Sequence, residues 1–201
     1  MNLGFDIVVV DLETNGLNGS IIQIGAVKLK RDGIISGDTF NSYVKCQQEP
    51  LKTQGGISID KFTGIDFEDL KQAPSLYSVT KDFESWALKD TKNIYLSAWG
   101  DDIYFLKSRW DWVGNWPFRD GTFDIRSMAI MAAILKGGKL PPLGLESLMK
   151  HFSLPWNNMY GNPHNALADA FNTAVLLSHI IHEHKINLSM ILRKLKQIGL
   201  E

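Results

Sequence analysis

The feature that most constrains this chain is the run Ile7-Val8-Val9-Val10-Asp11-Leu12 near its N-terminus. Four β-branched residues in succession are stiff at χ1 and favour extended backbone over helix. The run is apolar at odd and even positions alike, so as a strand it must be covered on both faces. Such a strand belongs inside a sheet with helices packed on each side. At 201 residues the chain is long enough for a self-sufficient core, and a single α/β domain over residues 1–201 is expected. The strand also ends on acids. Asp11 and Glu13 lie two residues apart, so their side chains leave the strand on the same face.

The rest of the chain supplies neighbours for that strand. A second strand is expected over residues 21–30, after the turn-forming stretch Thr14-Asn15-Gly16-Leu17-Asn18-Gly19, and a third over 34–44 after the tight turn at Asp32-Gly33. Three antiparallel N-terminal strands follow. Residues 47–73 read as loop with short helical turns. Ser75 can cap a helix over 75–89, where Leu76, Val79, Phe83 and Trp86 recur at helical spacing. A short strand is expected over 93–98 and a helix over 103–110. After a loop over 112–121, Phe123-Asp124-Ile125 leads into a helix that ends near Leu135, before Gly137-Gly138. Helices over 143–152, 165–184 and 187–198 complete the reading. The long one carries the stripe Leu167, Phe171, Val175 and Ile181. Strands first and helices later around one sheet argue for an α/β domain.

Composition narrows the function classes. A hydrophobic fraction of 44% and a charged fraction of 21% are ordinary for a globular protein. The single cysteine, Cys46, excludes an internal disulfide framework and a cysteine-based zinc site, and fits a reducing compartment. No basic segment precedes the short apolar run at the N-terminus, so it does not read as a signal peptide. No apolar stretch approaches the roughly 20 residues of a membrane span. A soluble, cytoplasmic protein is expected, with no membrane partner. The net charge of −1 gives no general basic surface. A phosphate-bearing partner would need local positive charge or bound metal ions.

Three acidic points stand out. The first is Asp11 with Glu13, two hard oxygen donors suited to Mg²⁺ or Mn²⁺. The second is Asp101-Asp102, where a strand gives way to a helix and an acid also complements the helix dipole. The third is His164 with Asp169, the histidine on the loop entering the long helix and the aspartate one turn inside it, off the apolar stripe. Singly these are a solvated strand end, a helix cap and a surface histidine. Their combination and order are much more specific.

In that order they resemble the DEDDh exonuclease superfamily, and most closely its Eri-1-like branch. Val8-Val9-Val10-Asp11-Leu12-Glu13-Thr14-Asn15-Gly16-Leu17 is close to the first family motif. Ile22-Gln23-Ile24-Gly25-Ala26-Val27 matches the strand after it, and Phe62-Thr63-Gly64-Ile65 a loop that members carry next. Asp102-Ile103-Tyr104-Phe105-Leu106 fits the second motif, and Pro163-His164-Asn165-Ala166-Leu167-Ala168-Asp169-Ala170 the third. Many relatives have His-Asn where this chain has Ala98-Trp99, whereas Trp99-Gly100 is similar to the Eri-1-like pattern. The spacing to Phe105 and Leu106 favours Asp102 as the ligand, with Asp101 the alternative.

The resemblance implies a ribonuclease H-like fold with a mixed five-stranded sheet. It also implies two divalent metal ions, Mg²⁺ or Mn²⁺, about 4 Å apart. Asp11 would bridge both ions, Glu13 and Asp169 would hold the ion on the nucleophile side, and Asp102 would hold the other mainly through water. His164 would take the proton of the attacking water, a role open to histidine near neutral pH because its ordinary pKa is about 6.5. Thr14 and Leu17 match positions that support the terminal nucleotide, and Phe62 and Trp99 are candidate stacking partners for a base. Trp110, Trp112 and Trp116 read as core or loop anchors, and Arg193, Lys194 and Lys196 as a solvated helix face. The implied activity is a 3′→5′ exonuclease releasing nucleoside monophosphates from single-stranded RNA or DNA 3′ ends, RNA favoured. Competing readings are a non-catalytic nucleic-acid-binding module and a small phosphate-ester or nucleotide hydrolase.

Overall fold

The computed structural model describes residues 6–17, 19–30, 32–90, 94–110, 114–118, 121–137 and 141–186. Its strands are β1 (Asp6–Thr14), β2 (Ile21–Leu29), β3 (Ile35–Tyr43), β4 (Ile94–Ala98) and β5 (Thr122–Asp124). Its helices are α1 (Ile59–Thr63), α2 (Phe67–Gln72), α3 (Leu76–Ala87), α4 (Asp102–Trp110), α5 (Ile125–Lys136), α6 (Leu145–His151) and α7 (Ala166–Glu183), with a 3-10 turn at Asn158–Tyr160. The expected helix over 187–198 and Trp112 lie outside the described residues. None of the described helices is long and apolar enough to cross a membrane.

The sheet runs β3-β2-β1-β4-β5. β1 pairs antiparallel with β2 and parallel with β4, β2 pairs antiparallel with β3, and β4 pairs parallel with β5. β1 is central, as its apolar run requires. Its even residues Val8, Val10 and Leu12 meet Phe83, Leu106 and Trp110 from α3 and α4. Its odd residues Ile7 and Val9 meet Ile125 of α5 and Phe171 and Leu177 of α7. The fifth strand is only three residues long and its register is set by β4, where Ala98 lies beside Asp124.

β2 fixes how the sheet meets α7. Asp11 lies opposite Gly25, and Glu13 opposite Gln23. A Cβ built at Gly25 would stand 2.2 Å from the carbonyl carbon of Ala166 and from the amide nitrogen of Leu167. The first turn of α7 therefore rests directly on the β2 backbone. Beside it the buried Gln23 side chain accepts from the Ala166 amide at 3.1 Å and donates to Asn41 Oδ1 at 3.0 Å. Asn165 caps the same helix, accepting from the Leu167 and Ala168 amides.

On the other side of β2 a buried lysine is neutralised locally. Lys28 Nζ donates to the Trp86 carbonyl at 2.7 Å, pairs with Asp38 at 3.1 Å and Asp90 at 3.6 Å, and lies over the Trp86 ring. Two acids and a carbonyl satisfy the cation where it is taken from water.

The contact at Gly25 has a measurable consequence. Gly25→Ala is expected to lower unfolding free energy in urea by about 3 kcal/mol, because backbone rather than a flexible side chain blocks the added carbon. An unfolding midpoint equal to that of the unmutated chain would show that the seat of α7 is not close-packed.

Candidate metal centre

Parallel pairing puts the C-terminal ends of β1 and β4 side by side, where open α/β sheets place their ligands. Asp11 and Glu13 leave β1 on the face covered by α7. The seat of α7 on Gly25 brings Asp169, on its first turn, down to them. Asp11, Glu13 and Asp169 each offer a carboxylate oxygen within 4.8 Å of the others. Asp102 opens α4 and approaches Asp11 from the β4 side. Its Oδ2 accepts from the Leu12 amide at 3.4 Å, and it shares a side-chain hydrogen bond with Asp11. Asp101 is exposed, and its backbone carbonyl accepts from the Phe105 amide. The structure thus brings Asp102, not Asp101, to the cluster.

The turns around these carboxylates are built by residues to which sequence reasoning gave no part in the site. Asp124 Oδ1 accepts from the Gly100 and Arg126 amides, tying the turn after β4 to the start of α5. Asn172 bonds the carbonyl and amide of Asn157, fastening the 3-10 turn, and with it the following loop, to α7. Asn15 holds the turn after Glu13 by donating to the Glu49 carbonyl at 3.0 Å and accepting from the Leu51 amide at 2.8 Å. Asparagine inside a glycine-rich turn was the available signal for Asn15. Asp124 and Asn172 act on distant segments and carried none.

The remaining expected site residues separate. Thr14 donates to the Gly16 carbonyl at 3.0 Å and shapes the turn, while Leu17 is 76% exposed beside it. His164 lies on the loop before α7 with a left-handed φ of 67°, and its amide donates to Asp169 Oδ2 at 3.2 Å. Phe62 lies against His164, with ring centroids 3.9 Å apart and planes tilted by 31°. Trp99 is half-buried and packs where the clusters on α5 and α7 meet. Trp110 is fully buried and Trp116 and Phe118 pack on it, as core anchors should.

The electrostatics show what the cluster lacks. Burial first, then the charges of Asp102, Asp169 and Glu13, hold the Asp11 carboxyl well above the usual carboxylate range. Burial, with Asp169 and Asp102, pushes Glu13 up to about 8. Burial also raises Asp102 and Asp169 to about 7 each, against the Leu12 and His164 amides that favour their charged forms. Glu146 on α6 adds its charge to Asp169, and it partly opposes the burial that lowers the His164 imidazole below its ordinary value. Among the described residues no lysine or arginine pairs with any of the four carboxylates. Asp169 Oδ1 is buried without a hydrogen-bond partner. An oxygen-only donor set with an unpartnered buried oxygen fits a hard divalent cation.

Residues 8–177 match the RNase_T exonuclease family. This chain belongs to that exonuclease family. Among its sequence relatives is a DNA polymerase III PolC-type of Caldanaerobacter subterraneus subsp. tengcongensis, 38% identical over 109 residues that make up 52% of this chain and 7% of that one. The exonuclease chain therefore spans a small fraction of that relative. Among solved structures, a zinc-bound complex of E. coli ExoI with single-stranded DNA superposes with a TM-score of 0.74 at 17% identity, over 98% of this chain and 45% of that one. The nuclease domain of 3′hExo, a DEDDh family member bound to rAMP, superposes with a TM-score of 0.69 at 20% identity, over 89% and 92%. These likenesses establish the ribonuclease H-like fold expected from the motifs.

The raised carboxyls give the cation-free exonuclease a defined pH response. Glu13, Asp102 and Asp169 titrate at about 7 to 8 in the fold, and near 4 once unfolded. Between those limits the folded state binds more protons than the unfolded one, so stability falls as pH rises through that window. The melting temperature of EDTA-treated protein is expected to drop between about pH 5 and pH 8, with added Mn²⁺ raising it most at the upper end. A melting temperature that rises over the same interval would contradict this account of the cluster.

Proposed function

We propose that this chain is a 3′→5′ exonuclease that releases nucleoside monophosphates from the 3′ end of single-stranded nucleic acid, acting as one domain in the cytoplasm. The observation that carries the reading is the meeting of Asp11, Glu13 and Asp169 within 4.8 Å, with His164 bonded through its backbone to Asp169 and Asp102 against Asp11. Asp11, Glu13, Asp169 and Asp102 are the residues that would hold two divalent cations, Mg²⁺ or Mn²⁺. When bound, such ions lower the pKa of the attacking water and stabilise the leaving oxygen.

The chain's own residues supply the rest. His164 accepts the proton of the water that attacks the terminal phosphorus. Its lowered pKa keeps the imidazole neutral, and so able to accept, near pH 7. The bond from phosphorus to the 3′ oxygen of the preceding nucleotide breaks. That oxygen takes a proton from solvent, leaving a nucleoside 5′-monophosphate and a shortened strand with a free 3′ hydroxyl. Leu17, exposed on the turn after Glu13, offers an apolar contact to the terminal base, and Thr14 fixes the turn that presents it. With a net charge of −1, the protein is suited to grip phosphates through bound cations rather than through a basic surface.

RNA is the substrate assigned first, on the likeness of the Trp99-Gly100 and His164-to-Asp169 segments to the Eri-1-like branch. DNA is the second reading, favoured by the relative that is a DNA polymerase. Digestion of 5′-labelled single-stranded RNA and matched DNA with Mg²⁺ or Mn²⁺ separates them. A ladder receding from the 3′ end is expected, abolished by EDTA and by Asp11→Ala, with the faster polymer naming the substrate. His164→Ala should lower kcat by about 10²- to 10⁴-fold, the usual contribution of a general base. If neither polymer shortens with either metal, a small phosphate-ester substrate or a binding role replaces this reading.

A further inference from the structure

We infer that Phe62 is the positioning residue for His164: a rigid aromatic platform on α1 that sets the plane of the imidazole presented to the attacking water. The inference rests on the reading of His164 as the general base. Its amide bond to Asp169 Oδ2 and its left-handed φ fix the backbone at this position. They leave the ring free to turn, because the χ2 well of histidine is broad. Catalytic and metal-site histidines are commonly oriented by a hydrogen bond to the second ring nitrogen. Here no hydrogen bond from the described residues reaches either His164 ring nitrogen. What does reach the ring is the face of Phe62.

That contact differs from the other aromatic pairs in the molecule. Its centroid separation of 3.9 Å is the shortest among the described residues, with the two planes tilted by 31°. The remaining pairs begin at 5.0 Å. The platform is anchored at both ends. The Phe62 amide donates to the Ser58 carbonyl, and Gly64, at φ 73°, closes the helix by donating to Asp60. Ile59 before it and Ile65 after it are buried with Ile22 of β2. The neighbouring residue on β2, Gln23, bonds the first turn of α7. Phe62 and His164 are thus both referenced to one strand, so their separation is set by the core rather than by loop conformation. In this role Phe62 serves the histidine rather than a substrate base.

The two roles predict different kinetics. If Phe62 positions the base, Phe62→Ala lowers kcat by about 10- to 100-fold, the scale of a misplaced catalytic group, and leaves KM nearly unchanged. Phe62→Tyr restores kcat because it keeps the ring face. Phe62→Leu, which fills the volume without that face, stays impaired and covers the case in which the alanine variant does not fold. In the His164→Ala background, Phe62→Ala then costs nothing further, a non-additivity that a general packing defect would not produce. A rise in KM at constant kcat that persists without His164 would overturn the inference and make Phe62 a substrate contact. Loss of activity in His164→Ala together with unchanged kcat in both Phe62→Ala and Phe62→Leu would sink the positioning role alone. Undiminished kcat in His164→Ala would remove the general base itself, and the positioning role with it.

Discussion

Everything that makes this molecule a candidate nuclease depends on one close approach, the first turn of α7 lying on β2 at Gly25. β1 carries two of the acids and α7 carries the third, yet Asp11 and Asp169 are far apart in sequence. Only the depth at which α7 sits decides whether they meet. At Gly25 the helix backbone occupies the place where any other residue would put a Cβ. Gln23 sets the position along the strand, because its buried amide is satisfied on one side by Asn41 and on the other by the Ala166 amide. Moving the helix by one position would leave that buried amide short of a partner, at a cost of about 1–3 kcal/mol. Seat and register therefore fix each other, and Asp169 is delivered as a consequence.

The same seat creates a local conflict, and its contrast with Lys28 shows that the conflict is confined to the site. The fold has a way to bury charge: Lys28 is met by Asp38, Asp90 and a backbone carbonyl, so the group is complete without help from outside. At the acidic cluster four carboxyls are brought together and none is given a lysine or arginine from the described residues. Two neighbouring acids respond by sharing a hydrogen bond, and Asp169 keeps a buried oxygen without a partner. A stability optimum would not hold groups this way. A site that takes up cations would, because the strain is released on binding.

What could be read from the sequence follows the range of the interactions involved. The strands β1 to β4 and the helices α3, α4 and α7 were legible to within a few residues because period, caps and turn residues such as Ser75, Asn165 and Asp32-Gly33 act locally. The three-residue β5 has almost no pattern of its own and exists through pairing with β4. The acids were legible as a set because their order along the chain resembles a known family, although each alone had an ordinary explanation. The parts that hold them in place were not. Gln23 reads from the sequence as one residue of a matching strand, and its bond to Ala166 spans 143 positions. Asn172 and Asp124 likewise act across the fold. Trp99 and Phe62 read as candidate stacking partners for a base, and the sequence does not show that Trp99 also packs against two hydrophobic clusters or that Phe62 lies against His164. Aromatic residues near a site advertise their chemistry in a sequence but not what already covers them.

The four carboxyls are also not equivalent, and the pattern of their contacts bears on how two cations would be divided. Asp11, Glu13 and Asp169 form one group of oxygens on the α7 face of β1. Asp11 and Asp102 form a second, joined by a hydrogen bond at the start of α4. There the Leu12 amide and the helix N-terminus favour negative charge on Asp102. Asp11 alone belongs to both groups. It is also the carboxyl for which burial is joined by the charges of all three others, so it gains most from neutralisation on either side. Asp11 is therefore the carboxyl that would serve cations held on either side of it, and this follows from the fold, because the central strand β1 touches both α4 and α7.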